Sequence, residues 1–186
     1  PISVFYMRDG GLSYFGGLGA GVLVGVLYCR KRKISIGKMA DVAAPAVTIG
    51  YAIVRIGCLL NGCCYGHISE VPWALAAGPG DVLRHPAQLY AAISSVIIFF
   101  LLRAAEPNKK FEGQILWLYV GLYSVARFIV ELWRVGTRDY FAPFTATQIL
   151  CVLLAVLAFG VIRVKARAAS SIEPGMPGAE GPSVKA

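Results

Sequence analysis

Two arginines stand in stretches that offer them no water. Arg55 lies in AIVRIGCLL and Arg127 in YSVARFIVEL, with aliphatic residues on both sides of each. A guanidinium in hydrocarbon is costly and is retained where it has a partner and a task. Tyr123, Arg127 and Glu131 recur at four-residue spacing, so on a helix they form one stripe. Glu131 can then hold Arg127, while Tyr123 offers a hydroxyl one turn deeper. Guanidinium suits multidentate phosphate binding, which points to a pocket for an anionic headgroup. The plainer alternative is a structural ion pair with arginines reaching toward an interface.

A second concentration of polar chemistry brackets one long loop. It opens with Asn61-Gly62-Cys63-Cys64-Tyr65-Gly66-His67 and closes with Arg84-His85-Pro86-Ala87-Gln88-Leu89-Tyr90. Gly62 and Gly66 permit tight backbone geometry beside a ligand, and Pro86 suits the first turn of a helix. His85, Gln88 and Tyr90 are thereby expected at the membrane surface above the arginine pair, with Arg134 and Arg138 on the same side. His85 also reads as a residue at a helix start that bonds a loop carbonyl.

Five cysteines complete the inventory. Cys29 and Cys151 read as small inert hydrophobes within or beside apolar spans. Cys58, Cys63 and Cys64, with His67 nearby, invite a metal reading. Zinc sites, however, favour a C-x2-4-C pair with a second pair, and a vicinal Cys63–Cys64 pair offers poor geometry. No metal site is expected; a disulfide involving Cys58 stays open. The sequence has no H-E-x-x-H, no paired-carboxylate cluster and no Gly-rich phosphate loop after a strand, since no strand is evident. No cofactor is implied.

The elements that must carry these residues follow from composition. Of 186 residues 57% are apolar and 15% charged, where soluble domains run nearer about a quarter charged. That is membrane-protein composition, and it excludes disorder, a fibrous repeat and a disulfide scaffold. Five stretches meet the roughly 17–25 residues a bilayer core requires: about 11–29, 41–60, 86–102, 114–133 and 144–162. The expected fold is an all-α polytopic helical bundle with five transmembrane helices. Gly17, Gly21 and Gly25 in the first span would allow close helix–helix approach.

The net charge of +8 is explained by topology. Twelve basic residues (Arg30, Lys31, Arg32, Lys33, Lys38, Arg103, Lys109, Lys110, Arg163, Lys165, Arg167 and Lys185) fall on one side of those spans. The other side holds Arg8, Arg84, Arg134 and Arg138. The positive-inside rule puts the N-terminus outside and the C-terminus in the cytoplasm, so no nucleic-acid partner is implied. Arg55 then lies about five residues, roughly 8 Å, below the outer boundary, and Arg127 about six residues below it. Residues 1–168 form the membrane domain, and the Pro-, Gly- and Ser-rich 169–186 reads as a disordered cytoplasmic tail. Residues 103–113 look like a short solvated turn. There is no secretory-signal pattern and no repeat at a period of 20–50 residues.

At these residues the chain resembles the prolipoprotein diacylglyceryl transferase family of bacterial inner-membrane enzymes. The matching segments are Gly10-Gly11-Leu12-Ser13-Tyr14-Phe15-Gly16-Gly17, Asp41 with Ala44-Pro45, Arg55-Ile56-Gly57, Asn61-Gly62 and Gly66. They continue through Arg84-His85-Pro86 to Gln88-Leu89-Tyr90, then Tyr123 with Arg127-Phe128 and Glu131, and Gln148-Ile149-Leu150. RHPAQLY together with Y-x3-RF-x2-E is the specific combination. The resemblance implies transfer of the diacylglyceryl group of phosphatidylglycerol to the lipobox cysteine thiol of a preprolipoprotein, in the inner membrane and toward its outer leaflet. It makes Arg55 the ligand of the lipid phosphate and Arg127, Glu131 and Tyr123 the essential cluster. Asn61, Gly66, Gln88 and Tyr90 would shape the lipid site. Members usually have seven spans, so five spans beginning at Pro1 are expected to lack the first two.

The chain departs from the family pattern at several positions. Phe15 stands where a histidine is frequent, Cys58 and Cys63 replace an asparagine and a glutamate, and Ala91 replaces a glutamate. Without that histidine, the field of Arg127, helped by Arg55, is the first expected means of lowering the acceptor thiol's pKa, and His85 the second. Two other readings use the same arginines: an anion or lipid transporter, and a non-catalytic paralogue.

Overall fold

The computed structural model describes residues 12–76, 80, 82–134, 140–141 and 144–172. Pro1, Arg8, Gly10, Gly11, Arg138 and the segment 173–186 lie outside the described residues, as does the side chain of Phe15. Five α-helices dominate what is described: α1 (Leu12–Arg32), α2 (Ile36–Leu60), α3 (Ala87–Ala105), α4 (Gln114–Glu131) and α5 (Ala146–Ile172). Three stretches, Ile36–Leu60, Ala87–Asn108 and Ala146–Ala168, are long and apolar enough to cross a membrane. Helix α4 carries the polar stripe of Tyr123, Arg127 and Glu131, which dilutes its hydropathy.

Two sequence expectations are corrected. Four strands exist among the described residues, each of two residues: β1 (Leu75–Ala76) pairs antiparallel with β2 (Leu83–Arg84), and β3 (Tyr140–Phe141) with β4 (Phe144–Thr145). Such short strands show no measurable alternation in sequence, and they form because loop backbone must bond something. Among the described residues, Gly17, Gly21 and Gly25 of α1 make no close approach either. A Cβ at Gly17, Gly21 or Gly25 would meet no atom within 4 Å, and the principal partner of α1, namely α2, touches it sparsely. Small residues permit helix contact without compelling it. Helix α5 also runs past Ala168 to Ile172.

Helices α2, α3 and α4 form the framework, with α5 packed along α4. Their inner core gathers Ala44, Ile98, Leu102 and Ile115, and an outer cluster gathers Ala87, Ala91 and Val130 against Tyr51 and Tyr90. The 103–113 connection is a helix end, a 3-10 turn over Glu106–Asn108 and an exposed stretch that closes on Gly113 at φ 89°.

One buried carboxylate sets the framework's register. Asp41 on α2, 4% exposed, accepts hydrogen bonds from the N–H groups of Gly113 (2.9 Å), Ile115 (2.9 Å) and Leu116 (3.1 Å). It thus caps α4 across the bundle, supplying the acceptor and negative charge that a helix N-terminus wants. Lys109 approaches the same carboxylate at 3.8 Å. Beside it, the exposed Glu112 bonds the Ser35 hydroxyl and pairs with Lys38 at 3.1 Å. Those two contacts hold the Glu112 carboxyl below the usual carboxylate range.

Candidate active site

The Asp41 clamp fixes where the two arginines stand. Arg55 is fourteen residues beyond Asp41 along α2, and Arg127 is thirteen beyond Gln114 along α4. At 1.5 Å per residue both lie roughly 20 Å above the clamp. The two arginines therefore stand at a similar height along two helices that run the same way from one anchor.

On α4, Arg127 Nη2 meets Glu131 Oε2 at 2.8 Å across one helical turn, with the two side chains 15% and 2% exposed. The expected stripe is formed, since Tyr123 joins Arg127 in lining a narrow cleft between α2, α3 and α4. Ser94, Ser95 and Ala91 of α3 and Tyr51 of α2 complete its walls. Tyr51 and Tyr123 meet edge to face, with ring centroids 5.3 Å apart.

Tyr51 is the residue that sequence reasoning passed over. The Arg55 guanidinium lies over its ring at 4.6 Å, a cation–π contact that orients the charge. Arg55 Nε is buried and has no hydrogen-bond partner among the described residues. A signal was present, because Tyr51–Arg55 repeats on α2 the Tyr-x3-Arg spacing of Tyr123–Arg127 on α4. Tyr123 is close enough to feel both guanidinium groups, so the two stripes meet through the tyrosines.

The long loop is laced by backbone bonds over the ends of α2, α3 and α4 that lie away from Asp41. Gly66 N–H donates to the His85 carbonyl, His67 N–H to the Trp133 carbonyl and His85 N–H to the His67 carbonyl, each at 2.9 Å. A Cβ on Gly66 would stand 2.5 Å from the Trp133 oxygen and 2.7 Å from the His85 oxygen, so only glycine fits. Gln88, fully buried, donates from Nε2 to the Cys63 carbonyl at 2.6 Å. Tyr90 receives the Trp73 indole N–H at 2.7 Å and shares a 3.1 Å hydrogen bond with His85 Nδ1. The rings of Tyr90 and Trp133 pack at 5.8 Å. His85 is thus gathered with Tyr90, Trp73 and Trp133, and is not among the residues lining the Arg127 cleft. Asn61 is exposed and closes α2 as its C-cap. Arg84 stacks on Tyr65 at 4.6 Å.

The cysteines divide as their burial dictates. Cys29 and Cys151 are buried at 1% and 7% exposure. Cys58, Cys63 and Cys64 are free thiols whose Sγ atoms all lie within 4.8 Å of one another. The geometric objection raised by the vicinal pair therefore does not hold, because the turn after α2 folds both thiols back onto Cys58. Burial pushes the Cys64 thiol up, but the Cys63 hydrogen bond and the Arg134 and Arg55 guanidinium groups bring it below the ordinary cysteine value.

Comparison with known proteins places relatives beside this geometry. The sequence pattern of the family described as prolipoprotein diacylglyceryl transferase matches residues 1–164. A phosphatidylglycerol–prolipoprotein diacylglyceryl transferase of Geobacter sulfurreducens is 37% identical over 155 residues, covering 81% of this chain and 60% of the relative. Proteins of the same name from Finegoldia magna and Campylobacter hominis are 36% and 35% identical, over 84% and 80% of this chain and 61% and 54% of their own. The chain thus spans between half and two thirds of the length of these curated relatives.

Proposed function

The chain belongs to the prolipoprotein diacylglyceryl transferase family, and on that premise we propose that it moves the diacylglyceryl group of phosphatidylglycerol to the lipobox cysteine thiol of a preprolipoprotein. The observation that carries this reading is the pair of partly buried arginines at one depth, one of them with an unspent buried donor. In this reading all five helices cross the bacterial inner membrane, with the N-terminus outside and the site toward the outer leaflet. The uneven distribution of basic residues supports that orientation.

The reaction is a displacement at C3 of the glyceryl unit. The peptide thiolate attacks that carbon, the C–O bond breaks, and glycerol phosphate leaves with the bonding pair. Arg55 holds the phosphate. Arg127, oriented by Glu131, disperses the charge that grows on the leaving group, a stabilisation of several kcal/mol in a site that excludes water. The same positive field favours the acceptor's thiolate. Tyr51 and Tyr123 fix the two guanidinium groups. His85, through Tyr90, organises the loop that covers the lipid headgroup, and Asn61, Gly66 and Gln88 shape that cover.

The test is mass spectrometry of a lipobox peptide incubated with the full-length protein in phosphatidylglycerol vesicles. A diacylglyceryl thioether on the peptide and one equivalent of glycerol phosphate are expected, and neither in phosphatidylcholine vesicles. Phospholipid movement across the bilayer without any thioether product would replace the transferase by a transporter.

A further inference from the structure

We infer that Cys58, Cys63 and Cys64 form a three-thiolate site for a soft, thiophilic metal ion, with Cu(I) as the ion whose chemistry fits. The site is a consequence of how α2 ends. Gly62 N–H bonds the Leu59 carbonyl and Cys63 N–H the Cys58 carbonyl, both at 3.1 Å, while Gly62 takes φ 65°. That is the Schellman arrangement, which juxtaposes the side chains of the third-last helical residue and the second residue past the cap. Here those two positions are Cys58 and Cys63. Cys64 then adopts φ 63°, a left-handed conformation uncommon outside glycine, and its thiol turns back to the same point. The Gln88 amide, bonded to the Cys63 carbonyl at 2.6 Å, pins the turn in place.

Three sulfurs within 4.8 Å of one another need little adjustment to hold an ion. With a metal–sulfur bond of about 2.3 Å, a trigonal site puts its sulfurs roughly 4 Å apart. Among the described residues no fourth histidine, cysteine or carboxylate joins the group, which disfavours the tetrahedral demand of zinc. Soft thiolates and low coordination suit Cu(I). Charge also balances. Three thiols release three protons to water as the ion binds, and the resulting complex carries two net negative charges. Arg55 and Arg134, the two guanidinium groups that act on Cys64, stand ready to offset them. No electron is transferred, because the ion arrives as Cu(I).

The experiment is an anaerobic titration of the reduced, detergent-solubilised full-length protein with Cu(I), in competition with bicinchoninate. One equivalent should bind, with ultraviolet sulfur-to-copper charge transfer and an X-ray absorption shell of three sulfurs. Cys58→Ser, Cys63→Ser and Cys64→Ser should each weaken binding by more than the ~10–100-fold typical of losing a supporting residue. Cys151→Ser should leave it unchanged. The site is overturned if the triple serine variant retains the wild-type affinity. It is equally overturned if the wild type takes up no Cu(I) while a thiol reagent still counts Cys58, Cys63 and Cys64 as reactive. Preferential retention of Zn(II) in the presence of Cu(I) would refute the soft-ion assignment.

Discussion

Removing Glu131 tests whether the arginine of α4 works alone or as half of a unit. The ion pair measures 2.8 Å, and its carboxylate is 2% exposed while its guanidinium is 15% exposed. Breaking such a pair from one side costs about 3–5 kcal/mol, most of it the penalty of a buried charge without its partner. If about 3 kcal/mol of that appears as loss of transition-state stabilisation, kcat/KM falls roughly 10²-fold. Glu131→Gln should show this loss, because an amide cannot supply the charge that holds Arg127 in the cleft. Arg127→Gln should cost at least as much, since it deletes the group that meets the leaving phosphate. The double variant is the informative one. If the pair acts as a unit, it should lie within about 0.5 kcal/mol of the worse single variant, and independent roles would add to about 6 kcal/mol, or roughly 10⁴-fold. The assay is diacylglyceryl transfer to a lipobox peptide by full-length protein reconstituted in phosphatidylglycerol vesicles, with helicity checked for each variant. Additive losses refute the unit, and a wild-type rate in Arg127→Gln refutes the arginine's part in the chemistry.

Three further outcomes follow from the same geometry. Arg55→Ala should abolish preferential binding of phosphatidylglycerol over phosphatidylcholine in nanodiscs, and Arg55→Lys should restore only part of it, because an ammonium cannot replace a planar multidentate donor. Asp41→Ala should lower stability by about 1–2 kcal/mol in thermal unfolding in detergent, since three N–H groups at the start of α4 lose their acceptor; Asp41→Asn should lose less, and an unchanged midpoint would remove the clamp. Gly66→Ala should open the loop, seen as faster proteolysis between α2 and α3, whereas Gly57→Ala, whose Cβ would meet nothing within 4 Å, should match the wild type.

Much of the site was legible because its chemistry is local. Arg127 and Glu131 announce themselves by i,i+4 spacing within one helix, and the structure joins them at 2.8 Å. Helix positions were legible from apolar runs, although α2 begins five residues earlier than its apolar core at 41 and α5 ends ten later than 162. The Asp41 clamp was not legible in the same way. It joins groups 72 to 75 residues apart, and nothing near Asp41 says which helix it will cap. The bonds from Gly66 N–H to the His85 carbonyl and from His67 N–H to the Trp133 carbonyl share that character. The cysteine cluster lies between these cases. Its first contact follows from a helix-termination rule applied to Gly62, and its third thiol depends on a left-handed residue that no composition signals.

How two local stripes become one site is then a matter of phase and height. Tyr51-x3-Arg55 and Tyr123-x3-Arg127 would each be a modest helix pair in isolation, worth a few tenths of a kcal/mol. Asp41 ties the inner part of α2 to the first turn of α4, and from there both helices climb nearly the same number of residues to their arginines. The tyrosines consequently meet edge to face at 5.3 Å, and the Arg55 guanidinium lies over the Tyr51 ring. A shift of one residue in either helix would move its arginine about 1.5 Å along the axis and rotate it by about 100°, away from the paired tyrosines. The buried carboxylate of Asp41 is therefore part of the candidate site's geometry, although it stands roughly 20 Å from the proposed chemistry.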